Sequence, residues 1–351
     1  MWSCMGSWVR HGKVAAVVLA VFLALAPVTL AGCSRGGLPP ASSGQISPGA
    51  ASGVGSKPAE APVSSVTGEP MTSQGSPVAV SIDNYPNARP ESGLAQADVV
   101  YEALTEGGIT RYLAIFHSHA PSVVGPVRSA RPYFALLAKE WGAVFAHCGG
   151  DPKDIEPIRE WNVVDADEFK HGDLYWRDNT REAPHNLYTS IEHLRKVTSD
   201  PLPAPAKRYD FGSWAADPVF GIEVRYSKNY AVQYRYADKR YERWILDGDR
   251  EPWAYSDRDT GDKPEIADVI VQFAKTRVAY SDGGVIIDLI GEGKAVYLLG
   301  GSYAEGTWKK ASVEEPTLFY TQQGTRITLV PGQTWVQIAP EDATVRVLQG
   351  K

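Results

Sequence analysis

The periodicity of the chain changes across a proline-rich, aperiodic segment, Asp200 to Pro218, and that change limits the fold more than any single motif. Before it, short apolar strands alternate with helices. Val78-Ala79-Val80-Ser81-Ile82, Val99-Val100-Tyr101 and Tyr112-Leu113-Ala114-Ile115-Phe116 read as strands. Arg131 to Glu140 reads as a helix with Pro132 in its first turn, and Ala143 to Ala146 as a further strand. Asp151-Pro152 opens a helix to about Trp161, with the aspartate as cap and the proline at the first helical position. Thr189 with Glu192 forms a capping-box pattern for one more helix. Beyond the segment, Tyr230, Val232, Tyr234 and Tyr236 share one face at period two. Short strands follow at Val269 to Phe273, Val285 to Ile290, Ala295 to Leu299, Thr325 to Val330, Thr334 to Ile338 and Val345 to Leu348, separated by glycine turns. The expected class is α+β. A layered α/β domain spans 78–199, a linker 200–218, and an antiparallel β-rich sandwich or barrel 219–351.

Ahead of all this, Val14 to Leu30 is almost wholly apolar, preceded by Arg10, His11 and Lys13 and followed by Leu30-Ala31-Gly32-Cys33. Residues 1–32 thus have the layout of a secretory signal peptide. A transmembrane helix is disfavoured by the short run, by Pro27 and by the small residues after it. The small residues leading into a cysteine resemble the lipobox of bacterial lipoproteins. That resemblance implies lipidation of Cys33 and a protein held on the extracytoplasmic side of the cell membrane. Two or three palmitate-like chains suffice for stable anchoring, at about 0.8 kcal/mol per buried CH2. Residues 33–77 are rich in Gly, Pro, Ser and Ala and read as a flexible tether.

A hydrophobic content of 43% with 22% charged residues is globular, and the formal charge of -6 argues against a nucleic-acid partner. Of three cysteines, Cys4 and Cys33 lie in or at the leader, which leaves Cys148 without a disulfide partner and excludes a thiolate metal site. Cys148 reads as a buried small hydrophobe, with a nucleophilic role as the alternative.

Polar chemistry concentrates between Asp83 and His185. Gly125-Pro126-Val127-Arg128-Ser129-Ala130-Arg131-Pro132 falls between a strand and a helix, so guanidinium groups meet backbone amides in a place suited to an anion. The competing reading pairs Arg128 and Arg131 internally with Glu102 and Glu106. His147-Cys148-Gly149-Gly150-Asp151 ends another strand, where ligands of open α/β sheets collect. His147 is there a base or a core histidine, and Asp151 a base or a helix cap. The aperiodic segment Phe169 to Tyr188 contributes His185 and Asn186 as candidates to orient a ligand. No HExxH spacing, GxSxG elbow, SxxK or P-loop occurs, so neither a metal nor a cofactor is expected. Trp308 and Trp335 read as packing rather than a carbohydrate platform.

The ordered set Ser81-Ile82-Asp83-Asn84, Arg89-Pro90, Gly93-Leu94, Ala97-Asp98-Val99-Val100-Tyr101-Glu102, Gly125 to Arg131, Trp176-Arg177-Asp178, Pro184-His185-Asn186-Leu187-Tyr188, Gly306-Thr307-Trp308-Lys309-Lys310 and Pro331 to Val336 resembles the YerB-like bacterial lipoproteins, a two-part family of unknown function. The resemblance covers nearly all of the chain from Val78 to Leu348 and implies a lipidated envelope protein, without supplying an activity. The expected function is binding of an anionic glycan or phosphate-containing envelope ligand by Arg128, Ser129, Arg131, His185 and Asn186. One alternative is a hydrolase or transferase acting on a phosphodiester or glycan, with Asp83, His147 or Asp151 as catalytic groups. The other is a structural lipoprotein that binds a protein partner.

Overall fold

The computed structural model describes residues 61–214, 219–278 and 283–349. The leader, Cys33 and most of the tether lie outside the described residues. The first half carries β1 (Val78–Asp83), β2 (Val99–Leu104), β3 (Thr110–Phe116), α1 (Pro132–Glu140), β4 (Val144–His147), α2 (Pro152–Glu160), β5 (Val164–Asp167), β6 (Tyr175–Arg177), β7 (Leu187–Thr189) and α3 (Ile191–Leu194). The second half is all strand: β8 (Asp210–Phe211), β9 (Gly221–Arg225), β10 (Tyr230–Ala237), β11 (Arg240–Asp247), β12 (Trp253–Ala254), β13 (Ile266–Ala274), β14 (Thr276–Val278), β15 (Val285–Ile287), β16 (Gly291–Leu299), β17 (Ser302–Lys310), β18 (Leu318–Thr321), β19 (Thr328–Leu329), β20 (Gln333–Pro340) and β21 (Thr344–Leu348).

The protein is mostly β, and strands of both halves join one large mixed sheet in the order β21-β9-β10-β11-β13-β20-β2-β3-β1-β4-β5. The sequence pattern assigns the halves to separate domains and does not announce this junction. Its cause is β20, which lies parallel between β13 and β2, with Trp335 opposite both Val269 and Val100. A strand paired on both sides and covered on both faces is buried along its length, and all of Gln333 to Ala339 is buried, the polar Gln333, Thr334 and Gln337 included.

The period-two pattern sorts side chains into two cores, one on each face of the sheet. Val78, Val80, Ile82, Val100, Tyr112, Val269 and Trp335 fill one. Ala79, Tyr101, Leu113, Ile115, Ile270, Val336 and Ile338 fill the other, together with Phe134, Leu137 and Trp141 from α1 and its cap. Trp308 and Trp335 are buried packing residues, as their spacing suggests. α1 and α2 start at Pro132 and Pro152, one residue after Arg131 and Asp151. For α3 the sequence expectation shifts by one residue: the cap is Ser190, whose hydroxyl accepts the His193 amide at 3.2 Å. The Thr189 hydroxyl donates instead to the Leu174 carbonyl at 2.8 Å.

Candidate anion site at the carboxyl ends of parallel strands

β1, β4 and β5 run parallel and end on Asp83, His147 and Asp167. Loops at such ends are where open sheets place their ligands. The stretch from Gly125 to Arg131 crosses them as extended chain. Asp83 N donates to Pro126 O, Arg128 N to Ser81 O, Cys148 N to Arg128 O and Ala130 N to Gly149 O, all at 2.8–3.0 Å. Gly125 permits this path: at φ +152 a Cβ there would stand 2.7 Å from Leu187 O and 2.8 Å from the Tyr188 ring.

Asp83 is the centre of the arrangement. Its carboxylate is buried, Oδ1 accepts the Tyr85 amide at 3.0 Å, and Oδ2 lies 2.7 Å from His185 Nδ1 and 3.1 Å from Arg128 Nε. Tyr85 stacks on the His185 ring, centroids 5.2 Å apart and nearly parallel. Nδ1 faces the carboxylate, which leaves Nε2 as the outer nitrogen of the ring. Nε2 has no partner among the described residues.

Beside this group lies a cavity of about 340 Å³ whose lining includes Arg128, Ser129, Arg131, Gly149, Gly150 and Asp151. The two terminal nitrogens of Arg128 have no partner among the described residues, and neither do the backbone amides of Ser129 and Gly150. α1 and α2 both begin at this cavity, adding the positive ends of their dipoles. Phe169, largely exposed, lies across Gly149.

The candidates from the sequence divide between this place and others. Asp83, Arg128, Ser129 and His185 come together. Arg131 borders the cavity but is engaged internally, Nε and Nη2 meeting Glu106 at 2.8 and 2.6 Å and Nη1 meeting Asp154 at 3.3 Å. Those contacts hold the Glu106 carboxyl down against the opposing effect of burial. Arg131 thus has no outward edge to offer an anion, and the two-arginine clamp reduces to Arg128. Glu102, the other expected partner, pairs with Arg243 instead.

His147 is fully buried, its nitrogens 3.0 Å from Gly149 O and 2.9 Å from Asp165 Oδ1. Although burial opposes it, hydrogen bonds from His147 and Lys170 bring the Asp165 carboxyl down to about 2. His147 is therefore a core histidine, not a base facing the cavity. Asp151 is exposed, precedes α2 without a side-chain cap bond, and has Lys153 Nζ at 3.6 Å. Asn186 accepts from Arg177 at 3.3 Å and donates to Arg181 O at 3.4 Å, so its amide braces the loop. Burial and a hydrogen bond to Glu168 push the Cys148 thiol up to about 11, away from thiolate chemistry. Among the described residues no three His, Cys, Asp or Glu side chains cluster in a way that could hold a metal ion.

Two features escaped the sequence reading. Arg111, on β3 opposite Asp83, is 5% exposed; Nη1 donates to Ser129 O at 3.0 Å and Nε has no partner. Burial, then the neighbouring Arg131, pushes this guanidinium down to about 10, and no carboxylate bonds it directly. A charged residue inside an otherwise apolar strand was the available signal. The second feature is the buried pair Glu102–Arg243, at 2.8 Å. Thr110 and Tyr230 donate to Glu102 at 2.7 and 2.8 Å, and Arg243 donates to Tyr234 and Tyr112 at 2.6 and 3.0 Å.

Two family models match the chain in order. The N-terminal domain of the protein-of-unknown-function family DUF3048 matches residues 66–202, and its C-terminal domain residues 222–336. The Bacillus subtilis (strain 168) protein named "Putative lipoprotein YerB" is 33% identical over 309 residues, covering 84% of this chain and 90% of that protein. The crystal structure of the YerB protein from Bacillus subtilis matches with a TM-score of 0.70 at 31% identity, over 81% of this chain and 99% of that one.

Proposed function

The chain belongs to the DUF3048 family, of which it carries both parts, and we propose that it is a lipid-anchored envelope protein that binds an anionic, phosphate-containing ligand in the Arg128 cavity. Anchoring through Cys33 on the outer side of the membrane is supported by the Leu30-Ala31-Gly32-Cys33 sequence and by the lipoprotein name of the Bacillus relative. Among the described residues no helix is long and apolar enough to cross a membrane.

One observation carries the binding reading: the outer edge of the Arg128 guanidinium opens on a cavity whose Ser129 and Gly150 amides are also uncommitted. A fork of N–H donors beside backbone amides and helix starts matches the oxygens of a phosphate. Asp154 and Asp151 border the same cavity, but each has a cation of its own, Arg131 and Lys153. Arg111 behind Ser129 adds positive charge with no bonded carboxylate to cancel it.

Thermal melting of the full chain with inorganic phosphate and pyrophosphate tests this. A ligand at 100 times its dissociation constant adds about 2.7 kcal/mol to the folded state. The expected result is a rise in Tm that disappears in Arg128→Gln. Equal rises in both proteins would reject the site.

A further inference from the structure

We propose that His185, held by Asp83, is a general base that makes the anion site a phosphate-ester hydrolase, an inference that rests on the binding reading above. The contrast between two histidines carries it. His147 has both nitrogens engaged and no exposed surface, which is how this protein builds a structural histidine. His185 commits one nitrogen only. Nδ1 is fixed on buried Asp83 at 2.7 Å, the ring is held flat against Tyr85, and the ring remains 13% exposed with Nε2 unengaged. A carboxylate behind one imidazole nitrogen sets the tautomer and orientation that general-base catalysis needs at the other.

The anion binder and the base meet on one atom, since Arg128 Nε and His185 Nδ1 both approach Asp83 Oδ2. His185 does not itself line the cavity, but its ring and the Arg128 guanidinium share one carboxylate oxygen, and in the proposed complex an ester whose phosphoryl oxygens lie on Arg128 reaches across to Nε2. In the proposed step Nε2 takes a proton from water as the water oxygen bonds phosphorus. The bond from phosphorus to the leaving alcohol oxygen breaks, and that oxygen takes the proton back from the imidazolium. Nothing is oxidised or reduced and no co-reactant is required. Arg128, with Arg111 behind it, faces the negative charge gathering on the phosphoryl oxygens. Tyr85 and Asp83 are positioning residues.

The test incubates the full chain with p-nitrophenyl phosphate and bis(p-nitrophenyl) phosphate in EDTA, and follows p-nitrophenol beside the phosphate-induced shift in Tm. Release from the first probe alone assigns a monoester substrate, and release from the second a diester. His185→Gln should lower release by about 10²–10⁴-fold, the usual weight of a general base, and remove the acid limb of the pH–rate profile, while keeping the phosphate shift. A phosphate shift without release from either probe, or release unchanged in His185→Gln, overturns the catalytic inference and leaves binding standing. Loss of the phosphate shift in the unmodified chain overturns both.

Discussion

At the scale of single residues the structure separates charges that are matched from charges that are not. Glu91 is fully buried and neither carboxylate oxygen has a partner. Burial, opposed by Arg89 and Arg243, pushes its acid up to about 8. A carboxyl that titrates higher in the folded chain than in the unfolded one stabilises the fold fully below the unfolded value, and this contribution is lost as pH rises towards 8. Glu91→Gln should therefore flatten the decline of Tm between about pH 5 and 8; an unchanged slope would mean that Glu91 is not the titrating group. The same scale shows why the site was half legible. Asp83, Arg128, Ser129 and His185 are visible as polar residues at strand ends and in loops, and they do converge. That Arg131 is engaged while Arg128 is open follows from where Glu106 and Asp154 arrive, which spacing along the chain does not encode. Arg111 was missed because the expected strand begins at Tyr112, whereas β3 starts at Thr110 and buries the arginine within it.

At the scale of elements, local rules located strands and helices well where the signal was local. Pro132 and Pro152 open helices as their fixed φ and missing amide favour. The expected strand from Thr325 to Val330 shrinks to Thr328–Leu329, which pairs with Asp210–Phe211 in a separate two-stranded sheet. A capping-box spacing placed the α3 cap at Thr189, but that hydroxyl has a competing carbonyl and Ser190 takes the role. The element that carries the proposed site is the extended Gly125–Arg131 segment, pinned between β1 and the turn after β4. Gly125→Ala forces a Cβ against the Leu187 carbonyl at a backbone angle that L residues avoid. We expect a loss on the order of 1–3 kcal/mol in denaturant unfolding, with a weaker phosphate shift, because the segment that carries Arg128 must move. An unaltered phosphate shift would show that the segment does not position the site.

At the scale of the whole molecule, the family is described in two parts, yet the sheet does not stop between them. β20 comes from the second part and pairs with β2 of the first, and Tyr112 and Trp335 meet edge to face in a shared core. The buried Glu102–Arg243 pair crosses the same junction, and breaking such a pair typically costs about 3–5 kcal/mol. Calorimetry should therefore record one cooperative unfolding transition, and two separated transitions would contradict the shared sheet. This junction was the least legible feature. A segment such as Thr334 to Ile338 reads as a strand from its sequence, which does not say which strands flank it. The expectation of two separate bodies had no means of placing β20 beside β2.

The open edge of Arg128 is the feature on which the proposed anion site depends. Calorimetric titration of the full chain with pyrophosphate tests it most directly, with the wild-type protein compared against Arg128→Gln and Arg128→Lys. Saturable binding to wild type is expected, with loss in the glutamine variant and weakened binding in the lysine variant, whose point charge keeps attraction but not the fork. Binding of equal strength in all three, or none to wild type, would contradict it.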